Sequence, residues 1–173
     1  MADILDDWLA EDLGQGDVTS QSVVDNSACK ADISGGPGII SGLDACNPLL
    51  SRVNVHGDTK FSDGDEIKSG TCILSLSGKA HDILRAERLL LNILCHLSGI
   101  ATFTAQMVKM AKSVNPEVEI LATRKTIPGI RELEKQAVVH GGGMTHRMRL
   151  DDAVLIKDNH LRLCKDIKTA VGR

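Results

Sequence analysis

Tyrosine is missing from this 173-residue chain, and aromatic residues of all kinds make up only 2% of it. A core must therefore be built from Leu, Ile, Val and Ala, and no stacking platform for single-stranded nucleic acid is available. The five cysteines, Cys29, Cys46, Cys72, Cys95 and Cys164, are odd in number and widely spaced, with no C-x-x-C pair. That pattern suggests neither a zinc site nor a disulfide framework, and it fits a reducing compartment. No pair of His, Cys, Asp or Glu stands at metal-ligand spacing. No apolar run approaches the roughly 20 residues needed to span a bilayer. The acidic start, MADILDDWLAEDL, lacks the basic region of a signal peptide. The expectation is a cytoplasmic protein with neither a membrane nor a nucleic acid as partner.

What is present is the composition of a soluble globular protein, 42% apolar and 25% charged. The length suits one domain, or a small domain with part of another. The net charge of −3 hides an asymmetry. Residues 1–119 hold 9 Lys and Arg against 17 Asp and Glu, whereas residues 120–173 hold 11 against 6. A basic segment on an acidic protein suits an anionic ligand or a nucleic-acid face, and charge alone does not separate these from a solvated surface.

The pattern changes character near residue 115. Ile4, Leu5, Trp8, Leu9 and Leu13 fall at helical spacing over residues 3–13, with Asp3 as cap. Short strands are expected at Ala31–Ser34, Gly38–Ser41, Val53–Val55 and Cys72–Leu76, and a tight turn at Phe61–Gly70. Ala80–Leu97 reads as a long helix with a broad leucine face. Ser98-Gly99 is expected to break it, and a second helix to run from Ala101 to Lys112. Then come a strand at Val118–Ala122, a helix at Ile130–His140, a strand at Ala153–Ile156 and a helix at Lys165–Val171. Strands apolar on both faces alternating with helices mark a parallel α/β unit. The fold class is α/β, divided at 1–115 and 116–173.

Ligands of such folds bind at the C-terminal ends of the strands. There the sequence places Thr123, Arg124, Lys125 and Thr126, and then Lys157, Asp158, Asn159 and His160. Between them GGGMTHRMRL carries His146, Arg147 and Arg149. Arginine donates two parallel hydrogen bonds to a carboxylate, and lysine is a compact charge for phosphate. So many cations at strand ends point to a polyanion. Arg131, Arg149 and Arg162 read as solvated surface charges, and His56, His81 and His96 as structural. Gly141–Gly143 suits a helix cap or the approach of backbone N–H groups to an anion.

TRKTIPGIRELEKQAVVHGGGMTHRMRLDDAVLIKDNHL closely resembles the central signature of the quinolinate phosphoribosyltransferases. LAEDLGQGDVTS and RAERLLLNILCHLSGIAT are similar to that family's N-terminal motif and to its helix and following turn. The resemblance implies an N-terminal α/β sandwich followed by an incomplete α/β barrel, of which two strands are visible here. It implies transfer of a phosphoribosyl group from phosphoribosyl pyrophosphate to quinolinate, with Mg²⁺, as a step of NAD biosynthesis. On that resemblance Arg124, His146, Arg147 and Lys157 bind quinolinate carboxylates. Lys125 and Lys157 face the phosphates as the catalytic pair, and Thr123 supports the pocket. Arg88 is donated to a neighbouring subunit, so the active unit is at least a homodimer.

Thr145 stands where the family more often has Asn, and Arg149 where it more often has Gly. The family's Mg²⁺-associated carboxylates and phosphate loops come from later barrel strands. The sequence is therefore expected to be a truncated gene product, a fragment or half of a split enzyme, with little activity alone. LIKDNH is expected to separate it from a molybdate-transport paralogue that shares the TRKT-type motif. A non-catalytic binding or dimerisation module is the reading from a different class.

Overall fold

The computed structural model describes residues 2–164 and 166–172. Its first part holds helices α1 (Ala2–Leu13) and α2 (Val18–Val23), strands β1 (Ala28–Gly35) and β2 (Gly38–Ile39), and helix α3 (Leu43–Arg52). Strands β3 (His56–Asp58), β4 (Glu66–Ile67) and β5 (Thr71–Lys79) follow, and then the 35-residue helix α4 (Ala80–Val114). β5 is the centre of an antiparallel sheet in the order β1-β5-β3, while β2 and β4 form a separate pair. Ile83, Ala86, Leu90, Ile93, Leu94 and Leu97 recur at helical spacing on α4. They form one core with Leu49 and Leu50 of α3 and with Ile73, Leu74 and Leu76 of β5. Among the described residues α4 is the one helix long and apolar enough, by length and composition, to cross a membrane, and here it is the central core helix.

Four expectations change in this part. α4 runs unbroken through Ser98-Gly99. The Ser98 hydroxyl accepts from Ser41 N–H at 3.0 Å and donates to the Ser41 carbonyl at 3.1 Å. One turn on, the Thr102 hydroxyl accepts from Ile39 N–H at 2.9 Å. Ser98 and Thr102 therefore dock β2 and the backbone that follows it, through Ser41, onto the helix and do not interrupt it. The expected strand at Val53–Val55 is the exit from α3, a helix disguised by Pro48 within it. Val53 and Val55 are still buried, and pairing begins only at His56. α2 is an added helix, capped by the Asp17 side chain, which accepts from Ser20 N–H at 3.0 Å. The stretch 61–70 holds β4 as well as turns. The side chain of Asp3, the expected cap of α1, lies outside the described residues.

The second part begins with strand β6 (Leu121–Ala122), helix α5 (Arg131–His140) and strand β7 (Met144–Thr145). β6 and β7 pair in parallel, Leu121 opposite Met144 and Ala122 opposite Thr145, so α5 is a β-α-β crossover. Two short helices follow, α6 (Asp158–Leu163) and α7 (Ile167–Val171). Lys165, the expected start of the last helix, lies outside the described residues. The second strand is thus Met144–Thr145 and not Ala153–Ile156. The latter pairs with no strand among the described residues, and Val154 is 90% exposed. An apolar segment becomes a strand only where a neighbour accepts its ladder. The stretch read as a loop has that neighbour, since Met144 N–H donates to the Ile120 carbonyl at 2.8 Å.

Gly141–Gly143 makes this possible. A methyl group on Gly141 would overlap the Ala101 carbonyl and Thr104 Cβ of α4, and one on Gly143 would meet Val138 and the Ile120 carbonyl. The triplet is a close-packed turn that also caps α5, which resolves the two readings in favour of packing. Gly99 contrasts with it, being an exposed glycine inside α4 with open space where a Cβ would lie. In thermal or urea unfolding, Gly141→Ala is expected to destabilise by about 1–3 kcal/mol, the usual cost of overpacking. Gly99→Ala is expected to stabilise by about 0.5–1 kcal/mol through helix propensity.

Candidate anion-binding site

The parallel register carries Thr123 and Arg124 out of β6 beside His146 and Arg147 leaving β7. The Thr123 hydroxyl accepts from Lys125 N–H at 3.1 Å, which turns the chain at once. Lys125 is exposed and Arg124 half-buried. The Arg124 Nε–H is buried with no hydrogen-bond partner, which leaves an oriented donor in a protected place. Arg147 N–H donates to His146 Nδ1 at 2.8 Å. That bond makes Nδ1 the acceptor, so the neutral imidazole carries its proton on Nε2, where it can donate to an anion. The Arg147 guanidinium donates to the Ala153 carbonyl at 2.9 Å through Nη1, and its other donors remain for a ligand.

α5 holds both loops from below. Arg131 donates from Nε to the Thr126 hydroxyl at 3.0 Å and from Nη1 to the Met148 carbonyl at 2.9 Å. The Lys135 ammonium, 1% exposed, donates to the carbonyls of His146 at 2.8 Å and Arg147 at 2.6 Å. The Glu134 carboxylate accepts from Ile127 N–H at 3.1 Å and lies 2.9 Å from His96 Nε2 of α4. Arg131 is therefore not a solvated surface charge, and Glu134 and Lys135 are site-building residues that the sequence reading passed over. The signal was available, since Arg131, Glu134, Lys135 and Val138 share the face of α5 that a crossover must turn to its strands. Burial, then the nearby Arg131, push the Lys135 pKa below the usual lysine value, with Arg124 adding and Asp152 opposing.

The remaining residues fall elsewhere. Lys157 is exposed at the start of α6, its N–H donating to His160 Nδ1 at 2.9 Å, and it leaves no strand. Arg88 is exposed on α4 and joins no ion pair among the described residues. Arg149 is exposed beside Asp151 and Asp152, as a surface charge should be. A cleft of about 430 Å³ between α1, α4 and residues 127–133 is lined by Trp8, His96 and Leu133 and by none of the basic strand-end side chains. Among the described residues no group of three or more His, Cys, Asp or Glu could hold a metal ion.

Two family models cover most of the chain. Residues 17–98 match the N-terminal domain of quinolinate phosphoribosyl transferase, and residues 100–173 match its C-terminal domain. The chain belongs to this family. The two matched regions meet inside α4, which is shared between them. A probable carboxylating nicotinate-nucleotide pyrophosphorylase of Methanothermobacter thermautotrophicus is 41% identical over 175 residues, covering 100% of this chain and 63% of that protein. The structure of the nicotinate-nucleotide pyrophosphorylase from Francisella tularensis superimposes with a TM-score of 0.92 at 36% identity, covering 99% of this chain and 61% of that one. A Pasteurella multocida protein named putative pyrophosphorylase ModD is 33% identical over 165 residues, covering 94% of this chain and 58% of that protein. The chain thus spans about 60% of the length of these family members. The α/β architecture, with a β-α-β unit after an antiparallel N-terminal domain, is shared with the Francisella tularensis structure over that span.

The loop after β7 is shaped by Asp152, whose carboxylate accepts from Met148 N–H at 2.6 Å and Arg149 N–H at 3.0 Å. The backbone bonds from Arg149 and Met148 hold its pKa below the usual aspartate value of 3.8. A lowered carboxylate pKa stabilises the loop above that value and loses the effect as pH falls through the folded-state pKa. Hydrogen exchange should therefore show the Met148 and Arg149 amides losing protection in Asp152→Ala at neutral pH. The same loss should appear in the unaltered chain only below about pH 3.8, the ordinary aspartate pKa.

Proposed function

We propose that the basic strand ends bind quinolinate and phosphoribosyl pyrophosphate for a phosphoribosyl transfer with decarboxylation. The observation that carries this reading is the side-by-side exit of Arg124 and Arg147 from paired parallel strands in a member of this family. In the proposed reaction the quinolinate nitrogen attacks the anomeric carbon of the donor, and pyrophosphate leaves. The bond to the neighbouring carboxylate then breaks, CO₂ departs, and the ring carbon takes a proton to give nicotinate mononucleotide.

The residues are assigned by the chemistry each can perform. The half-buried guanidinium of Arg124, with its unpartnered Nε–H, suits a carboxylate held away from water. The remaining donors of Arg147 and Nε2–H of His146 suit the second carboxylate. Lys125 is assigned to the phosphates, and Lys157 to a carboxylate and to the phosphates. These fixed cations offset the desolvation of two polyanions and stabilise the charge on departing pyrophosphate. Thr123 sets the turn that presents Arg124 and Lys125. No side chain here is assigned as a general base.

Arg88, exposed on α4, is proposed to complete the site of a neighbouring copy, which requires a homodimer or larger assembly. Mg²⁺ belongs to the proposed reaction, where it would neutralise the donor's phosphates. The described residues offer it no ligand cluster, so no role is assigned to them in holding it. The likeness to the ModD protein supports a second reading in which the acceptor is not quinolinate.

Calorimetric titration of the chain separates these. Quinolinate is expected to bind more tightly than nicotinate, because a second carboxylate adds charge-assisted hydrogen bonds of about 1.5–3 kcal/mol each. Arg124→Ala should weaken quinolinate more than nicotinate. Equal affinities, or no effect of the substitution, would count against quinolinate as the acceptor.

A further inference from the structure

Lys135 stands out among the charged side chains of α5 because, buried as it is, it forms no ion pair among the described residues. Its ammonium is 1% exposed, and its hydrogen-bond partners are the two backbone carbonyls of His146 and Arg147. A buried ammonium with no carboxylate against it is costly, and an apolar side chain of similar length would fill the same space at less cost. The surroundings add to that cost. Arg131 lies on the same face, and Arg124 comes from the loop after β6. Asp152 acts in the opposite sense, but its carboxylate is engaged by Met148 and Arg149 N–H. The adjacent Glu134 is turned to Ile127 and His96. A charge retained at such a place needs a use beyond packing.

The use is visible in what its hydrogen bonds hold. The two carbonyls belong to the two residues that bring an imidazole and a guanidinium to the strand ends. Clamping the backbone from behind leaves His146 Nε2 and the guanidinium donors of Arg147 other than the Nη1 bond to Ala153 for a ligand in front. One turn earlier, Arg131 ties the loop after β6 to the loop after β7 through Thr126 and Met148. We propose that Lys135 is a positioning residue, which sets His146 and Arg147 against the bound anion through their backbone carbonyls and adds its own positive charge behind them. This role rests on the anion-binding reading of the strand ends.

The test uses the 173-residue chain with Lys135→Met and Lys135→Arg, followed by hydrogen exchange and by calorimetry with quinolinate and with sulfate. In a folded Lys135→Met variant, amides of residues 145–149 should exchange at least tenfold faster, while β1 and β5 stay unchanged. Quinolinate should bind at least tenfold more weakly, and Lys135→Arg should recover most of both effects. A space-filling role predicts the reverse order, with Met like the parent and the bulkier Arg impaired, and that result overturns the proposal. If neither variant folds, NMR of the parent chain decides. The Lys135 ε-methylene and the Arg147 and Met148 amides should titrate with one midpoint below 10.5, and separate midpoints overturn it. If the parent chain binds neither anion, the substrate reading falls, and the exchange result alone decides whether Lys135 holds the segment.

Discussion

Cations carried on neighbouring strands repel one another, and much of the second half of this chain answers that repulsion. Two unit charges about 5 Å apart, at an effective dielectric near 20, oppose each other by about 3 kcal/mol. Arg124 and Arg147 leave adjacent parallel strands, with Lys125 and His146 beside them. Left to themselves such side chains would splay into water, and an anion would have to gather them at an entropic cost. The chain limits this mainly by fixing backbone, with the Arg147 guanidinium also tied to the Ala153 carbonyl. The carbonyls of His146, Arg147 and Met148 are all held by cations of α5. The Ile127 amide is held by its carboxylate. The cationic groups are thus preorganised before any ligand arrives, the condition under which electrostatic binding and catalysis are strongest.

α5 can do this only because α4 holds it still. His96 of α4 meets Glu134, and the glycine turn after α5 sits so close to α4 that Gly141 has no room for a side chain. His140 at the end of α5 lies 2.8 Å from the Ser41 hydroxyl, whose backbone is in turn docked on Ser98 of α4. A path of packed and hydrogen-bonded groups therefore runs from the leucine core of the N-terminal domain to the basic loops. An uninterrupted α4 serves this purpose better than the two helices its Ser98-Gly99 step suggested. A hinge at that point would let the two halves of the molecule move apart.

The sequence made the broad plan legible. Helical periodicity gave α1, the first half of α4 and α5, and short segments set off by turn residues gave β1 and β5, because each buries apolar side chains in one core. It failed where tertiary partners override local pattern. Ala153–Ile156 has the composition of a buried strand but no neighbour to pair with, whereas Met144–Thr145 has poor composition and a partner in place. α3 was hidden by Pro48. For the site, the cluster of Arg and Lys after the first strand was readable from position alone. His146 and Arg147 were singled out while being placed in a loop, and they follow β7 directly. Arg131, Glu134 and Lys135 were missed or read as surface because charge on a helix is usually solvated. Only their shared face with Val138, seen against a crossover, marks them as internal. The family resemblance proposed more than geometry could, since the roles it implies for Lys157 and Arg88 have no counterpart in the contacts of a single chain.

A crystal structure of the chain with quinolinate addresses the central claim most directly. One quinolinate is expected at the C-terminal ends of β6 and β7, with carboxylate oxygens within hydrogen-bond distance of Arg124 and Arg147 and with the α5 clamp unchanged from the free state. Quinolinate seated elsewhere, for example in the cleft beside Trp8 and His96, or a clamp that forms only on binding, would contradict it.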